Sequence, residues 1–278
     1  MSIVQRLKDK IEEINHSLAQ NQTLGKAVRF QHQHLPLPLA LFDMLFRTTV
    51  GSKLLYSYGR HVFHASYESR KSNEDFWTSR EIIYHHLYIQ RHVLWYIIEL
   101  LKQEPEIMSF LSRGDLAFLE VGFGLGRTSR AMMEGGVLRW RSYYATEPNA
   151  HLCDYVRRRF GKRLGKTFEI HPGTIRDLLT SAPRFDVFLV TGGVLMFCPE
   201  DTLEAFFASL PQRGCRYVLI LHEGSPADDI EREMDKTAHT GATQYDFRSR
   251  LAAVYPQARF ITRVGSDGLY DYFCMMAD

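Results

Sequence analysis

The chain has 278 residues, of which 45% are hydrophobic and 24% are charged, and its formal net charge is +2. Such a chain can bury a substantial core as one large or two modest domains, and its near-neutral charge gives no general case for nucleic-acid or membrane partners. The four scattered cysteines exclude a metal knuckle or redox pair, and no signal peptide or apolar run of about 20 residues is apparent, so we expect a cytoplasmic protein without a membrane span.

The first predicted element is an amphipathic helix, because apolar residues recur at spacings of three and four from Val4 to Leu18. Two heptads alone are marginal, so we favour docking of this helix on its own domain and keep a homodimer arm as the alternative. A longer helix is predicted from Thr78, where Thr78 and Glu81 match a capping box, to a point before Pro105. The chain up to residue 113 is therefore predicted to form a helical cap and substrate region.

Short apolar runs alternate with helical stretches from Leu116 onward, which predicts a parallel sheet covered on both faces. The last two strands are joined by residues 265–268 alone, and so short a link permits only an antiparallel hairpin. We predict that residues 114–278 form a doubly wound, seven-stranded, mostly parallel α/β sheet ending in this hairpin. The predicted strands are Ala117–Val121, Tyr143–Thr146, Thr167–Ile170, Val187–Val190, Tyr217–Leu221, Arg259–Val264 and Tyr270–Met276.

A glycine-rich turn, Glu120 to Gly126 (EVGFGLG), ends the first of these strands and opens a helix. Glycines let the backbone turn sharply and approach a ligand closely, and the helix N-terminus that follows attracts anions. A tight strand-to-helix turn without a ligand would have the same pattern. A dinucleotide fingerprint needs glycine where the chain has Arg127, whereas an acidic residue before the glycines suits a ligand that carries an ammonium group.

The second strand leads to Glu147, about twenty residues beyond the glycine turn. An acidic side chain at this strand end can accept hydrogen bonds from both hydroxyls of a ribose, which suits any adenosine-containing ligand. A surface glutamate is the alternative, and the distance from the glycine turn favours ribose binding.

From Leu116 to the C-terminus, the chain resembles the class I S-adenosylmethionine-dependent methyltransferases. The features that it shares with this family are the EVGFGLG turn, Glu147, the alternating strands and helices, and the closing hairpin. The resemblance implies the strand order 3-2-1-4-5-7-6 with strand 7 antiparallel, and S-adenosyl-L-methionine as the cofactor. By position, the resemblance implies that the methionine part contacts Glu120, Gly122, Phe123, Gly124 and Gly126, and that the ribose contacts Glu147. It implies that the adenine is bordered by Pro148 or Asn149 and by Gly173, Thr174 and Ile175. The methionine moiety and the methyl donor would also lie beside Thr191, Gly192 and Gly193.

The fourth strand is followed by Thr191-Gly192-Gly193-Val194, which departs from two branches of this family. Many base-methylating enzymes carry an Asn/Asp-Pro-Pro-aromatic motif there, and metal-dependent catechol-type enzymes carry acidic or amide ligands. The resemblance therefore disfavours base N-methylation and favours a reaction without a metal ion.

The acceptor is expected at the carboxyl ends of the strands, where His222 and Glu223 follow strand five. His222 is a candidate general base toward a hydroxyl, because an imidazole titrates near neutral pH, but it could equally be structural or position the acceptor. The segment Gly224–Gln244 is long for a link and suggests a lid. Further candidate substrate contacts, each also explicable as core or surface, are Tyr84, His85, Tyr88, Glu223 and His239. No metal site is predicted, since HExxH would need histidine where Pro226 stands and the other histidine pairs lack a third ligand.

The sequence thus predicts a metal-independent methyltransferase that acts on a small-molecule or sugar acceptor, most simply on oxygen. One alternative is an RNA methyltransferase that uses the basic cluster from Arg157 to Lys166, although a solvated helix face is the commoner meaning of such a cluster. A catalytically silent methyltransferase-like partner protein is another. A dinucleotide-dependent oxidoreductase conflicts with Arg127 and with the terminal hairpin.

Overall fold

The computed structural model describes residues 77–78, 93–181, 183–223, 243, 245–266 and 268–277. The chain divides into two compact units, residues 1–91 and residues 92–278. Nearly all described residues belong to the second unit. The amphipathic helix from Val4 to Leu18 and most of the predicted cap lie outside the described residues, so the domain boundary at 113/114 stays a prediction.

Within residues 93–116, two helices precede the sheet, α1 at Trp95–Lys102 and α2 at Pro105–Leu111. Pro105 lies in the first turn of α2, where a missing N–H breaks no hydrogen bond and the fixed φ favours helix. The buried residues of α1 are Ile97, Ile98 and Leu101, at the spacing of one helix face.

The remaining elements alternate as the sequence predicts. In chain order they are β1 (Ala117–Val121), α3 (Arg127–Glu134), β2 (Ser142–Glu147), α4 (Ala150–Leu164), β3 (Phe168–Pro172), α5 (Ile175–Ser181), β4 (Val187–Thr191), a short 3-10 turn (Leu195–Phe197), α6 (Glu200–Ser209), β5 (Tyr217–Glu223), α7 (Phe247–Val254), β6 (Arg259–Val264) and β7 (Tyr270–Met276).

The strands of the described residues form one sheet in the order β3-β2-β1-β4-β5-β7-β6. All neighbouring pairs from β3 to β5 are parallel, whereas β7 is antiparallel to both β5 and β6. The predicted fold class and the predicted hairpin are confirmed.

Helices cover both faces of the sheet. On one face, α5, α6 and α7 share a hydrophobic cluster with alternate strand residues such as Leu119, Phe188 and Ile220. Strand residues of the other parity face α2 and α3, since Tyr217 stacks on Phe110 and Glu120 accepts a hydrogen bond from Ser129. The central strands are buried on both sides, which explains their continuous apolar runs.

The order of the strands fixes where a ligand can bind. The chain winds from β1 toward β3 on one side and continues through β4 and β5 on the other, so β1 and β4 flank the topological switch point. Open α/β sheets bind ligands in the crevice beyond the carboxyl ends of the strands at such a point. Among the described residues, no helix is long and apolar enough to cross a membrane.

Candidate functional site

The glycine turn between β1 and α3 consists of residues 122–126, and its three glycines all adopt positive φ, with values of 68°, 53° and 59°. A Cβ on Gly122 would lie 2.5 Å from Val194 Cγ2, and one on Gly126 would lie 2.0 Å from Phe123 Cζ. Both positions therefore require glycine for conformation and for packing within the protein. The side chain of Val194 thus occupies the space beside Gly122, which places the segment after β4 next to the turn.

The side chain of Phe123 belongs to the core beneath this turn. It is 3% exposed, and its ring packs against Tyr143 and Phe168. A ligand in the turn would therefore contact the backbone of Phe123 and not its side chain. The predicted contact of Phe123 with the cofactor stays a prediction, and it concerns the main chain alone.

Glu120 is fully buried and accepts hydrogen bonds from three hydroxyl groups. Ser129 Oγ and Thr191 Oγ1 lie 2.6 Å and 2.8 Å from Glu120 Oε1, and Tyr143 donates to Oε2. Burial raises the pKa of Glu120 to about 7, and the three hydroxyl donors oppose that rise. One carboxyl group thus links β1, α3, β2 and β4 around the switch point. It would influence a ligand chiefly through Thr191, which is half-buried at the end of β4.

Glu147 is 4% exposed at the end of β2 and bonds directly to the glycine turn. Its Oε2 accepts the Gly124 N–H at 2.9 Å, and its Oε1 accepts the Asn149 N–H at 3.1 Å. Burial raises the pKa of Glu147 to about 7 against these two bonds. Each carboxylate oxygen can accept a second hydrogen bond, so the group can still receive two ribose hydroxyls.

The residues predicted to border the adenine have identifiable local roles. The side chain of Asn149 caps α4 by accepting from the N–H groups of His151 and Leu152, with Pro148 half-buried before it. After β3, the N–H and hydroxyl of Thr174 donate to Asp177 at 2.7 Å and 2.9 Å, and these bonds lower the pKa of Asp177.

The segment after β3 is also joined to β2, because the Gly173 N–H donates to the Glu147 carbonyl at 3.1 Å. Ile175 is buried in the hydrophobic cluster with α5 and α6, so its side chain supports the segment from below. The structure therefore brings the ends of β2 and β3 together beside the glycine turn, as the resemblance implies.

Bare backbone faces open space after β4. Gly192 and Gly193 have φ values of 93° and 56°, and a Cβ built on either would meet nothing within 4 Å. Glycine here is required by the left-handed backbone rather than by packing. Half-buried main chain without a covering side chain thus lies beside Thr191, between the ends of β1 and β5.

Glu223 is fully buried at the end of β5 and holds the segment after β4. Its two oxygens accept the N–H groups of Val194 and Leu195, the second at 2.7 Å. Burial raises the pKa of Glu223 to about 8, and the backbone donors oppose the shift. Both oxygens bond to backbone, so a predicted substrate contact would compete with this arrangement.

The buried carboxyl groups predict a characteristic pH dependence of stability. The pKa of Glu223 in the folded protein, about 8, exceeds the usual unfolded value of about 4.3. The folded state therefore retains a proton that the unfolded state releases, and the contribution to the free energy of unfolding falls as pH rises from about 5 to about 8. We expect Glu223→Gln to flatten the pH profile of urea unfolding by a few kcal/mol over this window.

The matched control is Glu134→Gln, which changes a largely exposed carboxyl on α3. It should leave the slope of the wild-type profile unchanged. A Glu223→Gln profile parallel to that of the wild-type protein would contradict the assignment.

His222 is placed beside the same segment with unusual backbone geometry. It has a φ of 54°, a left-handed conformation that a residue with a side chain adopts at a cost. Its Nδ1 lies 3.4 Å from the hydroxyl of Tyr96 on α1. The position of Tyr96 beside His222 could not be predicted from the sequence, because nothing in the local pattern around Tyr96 distinguishes it from a core aromatic residue.

Several predicted features lie outside the described residues. These are Tyr84, His85, Tyr88, His239 and nearly all of the loop Gly224–Gln244. Within the described residues, no group of three metal-ligating side chains is present.

Part of the basic cluster is engaged within α4 and β3. Arg157 donates to the Ile170 carbonyl at 3.0 Å and to Asp154 at 2.9 Å, and Arg158 pairs with Asp154 at 3.8 Å. Asp154 thus partly offsets the charge of two arginines, while the side chain of Arg158 stays 83% exposed, so the RNA alternative stays a prediction.

The strand order, the antiparallel β7 and the loops gathered at the switch point are those of the class I methyltransferase fold. No protein-family model and no curated protein sequence matches the chain.

Solved structures to which the chain is similar include three methyltransferases at low sequence identity. Magnesium protoporphyrin IX methyltransferase from Synechocystis PCC 6803 is 10% identical over 79% of this chain and 100% of that chain, with a TM-score of 0.48. The bifunctional kinase-methyltransferase WbdD is 13% identical over 69% of this chain and 41% of that chain, with a TM-score of 0.48. The methyltransferase domain of bacterial CtHen1 is 12% identical over 66% of this chain and 96% of that chain, with a TM-score of 0.46.

Proposed function

We propose that this chain is an S-adenosyl-L-methionine-dependent methyltransferase. The observation that carries the proposal is the hydrogen bond from Gly124 to Glu147, which unites the glycine turn with the acidic end of β2 at the switch point of the sheet. A turn that presents backbone and a carboxylate that can accept ribose hydroxyls suit an adenosine ligand. The open space beside the main chain at Gly192 and Gly193 leaves room for the rest of such a ligand.

The residues that would hold the cofactor follow from this arrangement. Glu147 would receive the ribose, the segments around Pro148 and Thr174 would border the adenine, and the glycine turn with Thr191 would hold the methionine moiety. When bound, the cofactor supplies an electrophilic methyl group on a sulfonium. The protein mainly has to align the acceptor with that group, because proximity and orientation supply much of the rate enhancement of such a transfer.

The proposed acceptor is a hydroxyl of a small molecule or sugar, methylated without a metal ion. His222 supports this choice, because it lies near the end of β5 beside the segment that follows β4 and can take the hydroxyl proton as a general base. The sequence Thr191-Gly192-Gly193-Val194 after β4 lacks the Asn/Asp-Pro-Pro-aromatic motif of many base-methylating enzymes, which favours this acceptor over a nucleic-acid base. Arg157, which is hydrogen-bonded within the protein, supports the same choice. A cytoplasmic location and a homodimer through the N-terminal helix stay predictions.

Isothermal titration with S-adenosylhomocysteine and, separately, with NAD tests the cofactor. We expect S-adenosylhomocysteine to bind in one-to-one stoichiometry and NAD to give no saturable binding. Equilibrium dialysis with radiolabelled ligands serves as the control for a binding heat near zero. Binding of NAD in the absence of S-adenosylhomocysteine binding would overturn the proposal.

A further inference from the structure

The start of α1 lies across the carboxyl edge of the sheet. The Leu94 N–H donates to Thr128 Oγ1 at 3.3 Å, which fixes this end of α1 to the first turn of α3. Two residues later, the Tyr96 hydroxyl reaches His222 at the end of β5. Because α3 follows β1, and β4 lies between β1 and β5, the first turn of α1 bridges the end of β4.

The main chain on either side of His222 is hydrogen-bonded to the half-buried segment after β4. The Gly192 N–H donates to the carbonyl of Leu221 at 2.9 Å, and Glu223 accepts the N–H of Leu195 at 2.7 Å. Strained backbone held by its surroundings in this way is concentrated at functional positions. His222 is therefore fixed next to Gly192 and Gly193, where the proposed function places the methyl donor.

The two ring nitrogens of His222 have different surroundings. Nδ1 faces Tyr96, while Nε2 makes no hydrogen bond to another of the described residues. In a neutral imidazole one nitrogen donates and the other accepts, so the partner of Nδ1 decides whether Nε2 is free to take a proton. At 3.4 Å the contact with Tyr96 is long, and such contacts in unliganded sites tighten when substrate binds.

We infer that Tyr96 is a positioning residue of the acceptor site, which accepts a hydrogen bond from Nδ1–H of His222 and so keeps Nε2 as the base toward a hydroxyl acceptor. This inference rests on the proposed function. In the reaction the acceptor oxygen forms a bond to the methyl carbon, the bond from that carbon to sulfur breaks with its electron pair passing to sulfur, and the hydroxyl proton passes to Nε2. The resulting imidazolium keeps its Nδ1–H on the Tyr96 oxygen.

The experiment is nitrogen NMR of the full chain labelled with ¹⁵N-histidine, recorded at alkaline pH, where imidazole groups are generally neutral. The His222→Gln variant identifies the His222 signals by their loss. We expect the Nδ1–H form of His222 to predominate in the wild-type protein. Tyr96→Phe keeps the ring and its packing but removes the oxygen, and we expect it to shift the tautomer ratio toward Nε2–H by about fivefold.

Tyr144→Phe is the matched control, because Tyr144 stacks on His171 through its ring at 4.7 Å. It should leave the tautomers of both His171 and His222 unchanged. A predominant Nε2–H form of His222 in the wild-type protein, or an unchanged ratio in Tyr96→Phe, overturns the inference.

Titration with S-adenosylhomocysteine separates this inference from the proposed function. Tyr96→Phe is expected to bind it as tightly as the wild-type protein does. If the wild-type protein fails to bind it, the proposed function is wrong and the inference falls with it. If the wild-type protein binds it and the tautomer ratio is unchanged in Tyr96→Phe, the role of Tyr96 alone is wrong.

Discussion

Replacing Glu147 by alanine is expected to weaken S-adenosylhomocysteine binding about 100-fold. The ribose hydroxyls would lose two charge-assisted hydrogen bonds to the carboxylate, each worth about 1.5–3 kcal/mol. Water that fills the space would offset part of this loss of binding free energy. The bond from Gly124 to Glu147 would also be lost, which loosens the glycine turn on the same side of the ligand. Isothermal titration of the two proteins measures the change directly.

Two control variants separate ribose binding from damage to the fold. Glu147→Gln keeps the size of the side chain and one carbonyl acceptor, so we expect an intermediate loss of affinity. Glu169→Ala removes a largely exposed carboxyl on the neighbouring β3 and should bind as the wild-type protein does. The ribose assignment is wrong if Glu147→Ala binds within about threefold of the wild-type affinity while remaining folded by circular dichroism.

The sheet could be predicted closely from the sequence because its signals are local. The bounds of β1, β6 and β7 agree with the predicted ones, since each is a short apolar or alternating run between residues typical of turns. β2, β4 and β5 extend one or two residues beyond the predicted ends, to Glu147, Thr191 and Glu223. These residues can continue the strands because buried hydrogen bonds satisfy their polar side chains. Since they are polar, a search for apolar runs ends each strand before them.

The site could be predicted at the level of its loops. The sequence identifies the glycine turn and Glu147 by their spacing, yet it cannot reveal that Gly122 and Gly126 are required by Val194 and by the ring of Phe123. Those contacts join residues that are distant in sequence or fold back on each other, so periodicity does not report them. The same applies to Tyr96, which approaches His222 across 126 positions of the chain.

Gly126→Ala is expected to destabilise the protein by about 3 kcal/mol and to lower the melting temperature by roughly 10 °C. Alanine at a φ of 59° costs about 1–2 kcal/mol in backbone conformation alone. Its Cβ would also lie 2.0 Å from Phe123, whose ring is confined by Tyr143 and Phe168 and cannot move aside freely. Calorimetry measures the loss of stability, and the displaced turn should weaken S-adenosylhomocysteine binding as well.

Gly136→Ala isolates the contribution of the ring contact. Gly136 follows α3 with a φ of 69°, so alanine suffers a similar backbone penalty, but a Cβ there meets nothing within 4 Å. We expect a loss of about 1 kcal/mol and unchanged ligand affinity, because the strain stays at the far end of α3 from the turn. Equal destabilisation by the two substitutions would show that backbone conformation alone requires glycine at 126. A larger loss for Gly126→Ala, together with weaker binding, would instead mean that the fit of Phe123 beneath the turn helps to shape the ligand-binding backbone.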